Sequence, residues 1–185
     1  MIIGITGSFG AGKGAVVDYL VREKGFADYS ARAFIVDEIK FRGLPVNRDT
    51  MAEVANDLRQ KHEPTYIIES LYKKAQERGG DAVIESLRAV AEARLIKKLG
   101  GVVLGIDAPP EVRYERAVAR GSETDRVPYE EWLQQEIRES NPDDPTKQDI
   151  FGALRESDVI IENKGSLKEL YEKIDQMLKK ERMGS

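Results

Sequence analysis

Cysteine is absent from the 185 residues, which excludes disulfides and thiolate-bound metal. Histidine occurs once, as His62 between Lys61 and Glu63, where a solvated helix end suits it better than a metal centre. Aromatic residues make up only 7%, so Phe9, Tyr29, Phe34, Tyr66 and Trp132 read as core rather than as a base-stacking platform. No apolar run approaches the roughly twenty residues of a membrane span. The opening MIIGITG has neither the basic segment nor the apolar length of a secretory signal, so a cytoplasmic protein with no membrane partner is expected. Neither charge sign dominates: 29 Lys and Arg stand against 33 Asp and Glu, for a net charge of −4. A broad nucleic-acid surface is therefore not expected, and any anion site should be local. Internal repeats and low-complexity tracts are lacking too, and Gly184-Ser185 reads as an appended remnant. What remains is enough chain for one good core.

Against this background one stretch stands out: Gly7-Ser8-Phe9-Gly10-Ala11-Gly12-Lys13-Gly14-Ala15. It follows the apolar run Met1–Thr6 and precedes Val16-Val17-Asp18-Tyr19-Leu20, so it joins a strand to a helix. In that context GxxxxGK is a phosphate-binding loop: the glycines let successive N–H groups turn inward, and the helix adds its positive end. Lys13 would reach the terminal phosphates of a nucleoside triphosphate. The alternative is a plain glycine-rich turn. The hydroxyl that commonly follows the lysine and ligates magnesium is missing at Gly14 and at Ala15. Magnesium would then be held by phosphates, waters and a carboxylate from elsewhere.

The remaining pattern alternates. Helical spacing over 11–24 ends at Gly25, and Phe26–Ser30 is a short strand. A helix runs through Lys40, and Gly43-Leu44-Pro45-Val46-Asn47 breaks the chain. Asp49 or Thr50 caps a helix from about Met51 to Lys61, and Pro64 opens another to Arg78. Strands are expected at Asp81–Glu85, Val102–Asp107 and Asp158–Ile161. Helices are expected over 89–99, from Pro109-Pro110 through Arg120, from Pro128 to about Glu139, through Leu154, and after Ser166. Five short apolar strands alternating with helices predict an α/β fold with a parallel sheet covered on both faces. Ligands in such sheets bind at the carboxyl ends of the strands, where Gly7, Ser30, Glu85, Asp107 and Asn163 fall.

The GxxGxGKG loop resembles that of adenylate kinase and its nucleoside monophosphate kinase relatives, in which threonine usually follows the second glycine; Ala15 departs from them. Tyr29-Ser30-Ala31-Arg32 with Gly43-Leu44-Pro45-Val46 is similar to the acceptor-binding region of adenylate kinases. The family's arginine aligns near Val36, so Arg32 is a substitute. Ile84-Glu85-Ser86-Leu87-Arg88 resembles the strand that ends in an acid, followed by the acceptor-phosphate arginine. Arg116-Ala-Val-Ala-Arg120 looks like the helix entering a short lid. Arg116, Arg120, Gln134-Gln135 and Asp158–Ser166 also resemble dephospho-coenzyme A kinase. As a whole the chain looks like an archaeal family of adenylate kinase-related proteins that shares GLPVNRD-like and IIEGIR-like segments.

These resemblances imply a three-layer P-loop kinase fold in a single domain. Its core would be 1–30, 80–120 and 146–183, with a helical acceptor-binding insert over about 31–79 and a lid over about 121–145. They imply ATP and Mg2+, and transfer of a phosphoryl group to a small phosphorylated acceptor, a nucleoside monophosphate or, as the alternative, dephospho-coenzyme A, by a monomer or homodimer. Residues 7–15, Asn163 and Lys164 would hold the donor nucleotide. Ser30, Arg32, Leu44, Val46 and Arg88 would hold the acceptor, and Glu85 would hold magnesium through water. Lys13, Arg88, Arg116, Arg120 and Arg126, with Arg138 behind them, would surround the transferring group. Phosphoryl transfer needs in-line positioning and positive charge more than covalent chemistry, and Arg116 and Arg120, four apart, share a helix face. Alternatives stay open: surface pairing of these arginines with Glu111, Glu115 or Glu123, and Glu85 as a helix cap. Two further functions also remain, a non-catalytic nucleotide-binding regulator and a GTPase-like switch. For the switch, Asn163-Lys164-Gly165-Ser166 approaches NKxD, with Ser166 in place of the aspartate.

Overall fold

The computed structural model describes residues 1–120, 127–138, 140 and 147–184. Strand β1 (Ile2–Gly7) leads through the glycine-rich turn into helix α1 (Lys13–Lys24). Then come β2 (Ala27–Ser30), α2 (Ala31–Phe41), α3 (Arg48–Lys61) and α4 (Tyr66–Arg78). β3 (Ala82–Glu85), α5 (Val90–Lys98), β4 (Val102–Asp107), α6 (Pro110–Arg120) and α7 (Tyr129–Arg138) follow. α8 (Ile150–Arg155), β5 (Val159–Glu162) and α9 (Leu167–Met183) complete the chain.

The five strands form one parallel sheet in the order β2-β3-β1-β4-β5. Parallel strands buried on both faces read as unbroken apolar runs, and both faces are covered. On one face Ile3, Ile5, Val83, Leu104 and Ile106 pack with Val16 and Leu20 of α1 and Leu170 and Ile174 of α9. On the other, Ile84 and Val103 pack with Ile39, Leu58, Ile67, Leu71 and Ile96 from α2 to α5, and with Ala153 of α8. The α/β architecture read from the sequence is thus the one the chain adopts.

Three boundaries need correction. α4 starts at Tyr66 and not at Pro64, which lies in a turn closed by Tyr66 N donating to Glu63 O at 2.9 Å. α1 starts at Lys13 rather than Ala11, because Gly12 is in the left-handed region (φ 97°) and cannot be a helical residue. α3 starts at Arg48 and not near Met51. Its cap is Asn47, whose Oδ1 accepts the Thr50 amide at 2.9 Å while Thr50 Oγ1 accepts the Asn47 amide at 3.1 Å. Thr50 completes a capping box from inside the helix instead of starting it. Among the described residues no helix is long and apolar enough to cross a membrane.

Candidate nucleotide site and adjoining cleft

At the carboxyl end of β1 the loop curls beneath the start of α1, and Lys13 folds back over it. Its Nζ donates to Gly7 O at 2.8 Å and to Ser8 O at 2.9 Å. Burial first, then the nearby guanidinium groups of Arg88, Arg120 and Arg113, hold its pKa down at about 8. A cation kept poorly solvated among other cations is poised for an anion. Ser8, itself buried, donates through Oγ to Asp107 at the end of β4 at 2.7 Å, which ties the loop to the neighbouring strand.

Asn163, just beyond β5, is buried, and its Nδ2 donates to Ala11 O at 2.8 Å. A Cβ on Gly12 would lie 2.4 Å from that nitrogen, so only glycine lets the loop sit so close. Asn163 O accepts Arg116 Nη1 at 2.9 Å, and the Arg120 guanidinium lies over the Phe9 ring at 5.6 Å. Arg116 and Arg120 of α6 therefore both stand beside the loop. Lys164 pairs with Glu162 at 2.8 Å on the exposed surface. Ser166 Oγ caps α9 by accepting the Glu169 amide, which occupies the position where a switch protein would carry its aspartate.

Next to the loop, at the end of β3, opens a cleft of about 440 Å³. Ile35, Met51, Ala55 and Ile67 form its apolar wall, and Arg32, Arg59, Arg88 and Glu85 its charged lining. Arg88 lines the cleft, and its charge acts on Lys13 of the loop. Its Nη1 donates to Gln148 at 3.2 Å, and its carbonyl accepts the Asp149 amide at 2.8 Å. Glu85 follows Val83 on the sheet face that α1 covers and lines the cleft. Its charge contributes, after burial, to raising the pKa of Asp28 on the neighbouring strand. The carboxylate that caps α5 is Glu92, not Glu85: buried Glu92 accepts the amides of Arg88 and Ala89 at 2.7 and 3.2 Å. Burial raises the Glu92 pKa, with Arg59 approaching at 3.9 Å.

Of the residues read from sequence for the acceptor, Arg32 and Arg88 meet in the cleft. Ser30 Oγ is engaged in capping α2 through the Ala33 amide, while Leu44 and Val46 are exposed and outside the cleft lining. Arg126 and about half of the expected lid, 121–126, 139 and 141–145, lie outside the described residues. Sequence reasoning missed Arg59 and Asn56 of α3, although Met51, Ala55 and Arg59 recur every four residues along one helix face. It also missed Arg113, buried beside the loop, and Glu136 of α7.

A parallel β2-β3-β1-β4-β5 sheet with a lysine-bearing phosphate loop after its central strand defines a P-loop nucleotide-binding protein. The AAA domain family model matches residues 3–141, and the chain belongs to that family. A UPF0200/UPF0201 protein of Archaeoglobus fulgidus is 30% identical over 167 residues, covering 87% of this chain. The chain spans 50% of the length of that relative. A UPF0200 protein of Hyperthermus butylicus is 28% identical over 141 residues, 75% of either chain. Among solved structures, shikimate kinase from Acinetobacter baumannii in complex with shikimate superimposes with a TM-score of 0.63 at 21% identity. That match covers 97% of this chain and 93% of the kinase, and it shows a shared fold, that of small P-loop kinases.

Proposed function

We propose that the protein transfers the γ-phosphoryl group of ATP to a small phosphorylated acceptor, a nucleoside monophosphate in the first instance. The observation that carries this reading is the position of Arg88, which lines the cleft while its charge bears on Lys13 of the loop. Two anions, one on each side of that arginine, would meet where phosphoryl transfer occurs. The cleft is within the usual size range of small-molecule sites, and its combination of an apolar wall with three arginines suits an acceptor with an uncharged body and an anionic end.

In this reading the loop amides and Lys13 hold the donor's phosphates, and Arg116 and Arg120 close the donor side. Arg88, with Arg32 and Arg59, orients the acceptor so that its nucleophilic oxygen faces the γ-phosphorus. Glu85, which lines the cleft at the end of β3, would hold a magnesium ion through water. Among the described residues no group of three or more Asp, Glu, His or Cys is arranged around a metal. Magnesium keeps several waters and leans on substrate phosphates and one or two carboxylates, so a single carboxylate such as Glu85 could serve it. The ion would supply charge neutralisation on the phosphates.

The test is ADP release from ATP against a panel of nucleoside monophosphates and dephospho-coenzyme A, with wild type and Arg88→Ala compared. Acceptor-dependent ADP is expected in the wild type. The variant should lose roughly 10²–10³-fold in kcat/KM for the acceptor, with donor affinity changed far less. A loss confined to ATP affinity would put Arg88 on the donor side and remove the argument.

A further inference from the structure

Arg113 takes no part in the reading above, yet it is only 4% exposed on α6 and fully engaged. Its Nε donates to Ala108 O at 2.9 Å. Its Nη1 donates to Phe9 O in the middle of the phosphate loop at 3.2 Å and also to Glu136 of α7. The guanidinium lies 5.2 Å from the centre of the Trp132 ring, one helical turn before Glu136. Glu136 and Trp132 are themselves buried, at 8% and 3% exposure. The loop also touches the backbone of α6: a Cβ on Gly10 would lie 2.4 Å from Arg113 O. Beyond this contact, α7 docks on α6 through Tyr114, which stacks edge-on with Tyr129 and Trp132 and donates to Val127 O at 2.8 Å.

The peptide between Phe9 and Gly10 is therefore held from outside the loop. In a trans peptide the carbonyl and the following N–H point in opposite directions. Fixing Phe9 O toward Arg113 turns the Gly10 N–H the other way, away from Arg113, where it could serve a donor phosphate. We infer that Arg113 is a positioning residue of the donor site: it sets this peptide for phosphate and ties the loop to α7, so that donor affinity depends on α7 remaining docked. The inference rests on the donor-loop reading proposed above. Glu136 and Trp132 hold the guanidinium in place, Glu136 also balancing its charge, and so act through Arg113 and not on the nucleotide.

Removing Arg113 alone would leave Glu136 buried and unpaired, which is strongly destabilising. The decisive variant is thus Arg113→Met with Glu136→Leu, in which the pair becomes apolar while α7 keeps its aromatic contacts. The probe is the β,γ-imido analogue of ATP with magnesium. In the wild type it should slow amide exchange in residues 7–13 and in 129–138 together. In the double variant the Kd for the analogue should rise at least about tenfold, acceptor KM should hold, and protection should be confined to 7–13. Glu136→Gln should move donor Kd a few-fold the same way, and it serves for the comparison should the double variant not fold. Unchanged donor affinity in these variants, or equal weakening of donor and acceptor, overturns the inference. A wild-type protein that binds no analogue at all overturns the donor-loop reading itself.

Discussion

Lys13 carries two opposite consequences of one environment. Burial and three nearby arginines lower its pKa from an ordinary 10.5 to about 8. Between those values the unfolded chain binds more protons than the folded one, so this group makes stability rise as pH increases from about 8 to 10.5. Donor binding runs the other way, since a triphosphate needs the ammonium form. The kcat/KM for ATP should therefore fall through a one-proton limb near pH 8, while the denaturation midpoint does not fall with it. Lys13→Arg should move that limb out of range. At the following position, a side chain on Gly14 would meet nothing within 4 Å, so the missing hydroxyl can be restored without steric conflict. Gly14→Ser should lower the magnesium concentration needed for half-maximal ADP release, and Glu85→Gln should raise it about tenfold. Opposite movements, or none, would detach Glu85 from the metal.

At the scale of elements, the two ends of the region between α6 and α8 are fastened to different partners. α7 is joined to the phosphate loop through Arg113, as argued above. Beyond it, Ser140 and Asp149 form an antiparallel bridge, and Asp149 caps α8 by accepting Gly152 N at 2.9 Å and Ser140 Oγ at 2.7 Å. The Asp149 amide holds Arg88 O, and Gln148 beside it holds the Arg88 guanidinium. Asp149→Ala should cost about 1–2 kcal/mol, a fall of a few degrees in Tm. It should also raise acceptor KM more than donor KM, because the strut behind Arg88 loosens. Equal effects on both substrates would make Asp149 a cap and nothing more. The strands and the glycine-rich turn were legible in sequence because β-branched runs and a fixed glycine spacing carry their meaning locally. The cleft was not. Met51, Ala55 and Arg59 face Glu85 and Arg88 only once α3 is turned over the end of β3, and no local pattern announces that turn. Arg113 was hidden for the same reason: its partners Phe9 and Glu136 are 104 and 23 residues away.

Over the whole molecule, charge is distributed to suit a reaction between anions. The chain is net acidic, yet Lys13 and Arg88, Arg113 and Arg120 lie close enough for each arginine to depress the lysine's pKa. This local concentration of cations in an acidic protein is the feature a phosphoryl-transfer site requires, and a parallel sheet delivers it by bringing distant strand ends to one edge. A nucleotide-binding regulator would need the loop but not the second cleft with its own arginines. The most direct measurement follows the label from ATP carrying a radioactive γ-phosphate, incubated with magnesium and each candidate acceptor in turn. The account predicts that label appears covalently in one small phosphorylated acceptor, in equal amount to ADP, that Lys13→Ala abolishes the transfer, and that Arg88→Ala slows it roughly 10²–10³-fold, while both variants stay folded. ATP bound with label remaining on it for every acceptor, or released only as inorganic phosphate whatever acceptor is present, would contradict it.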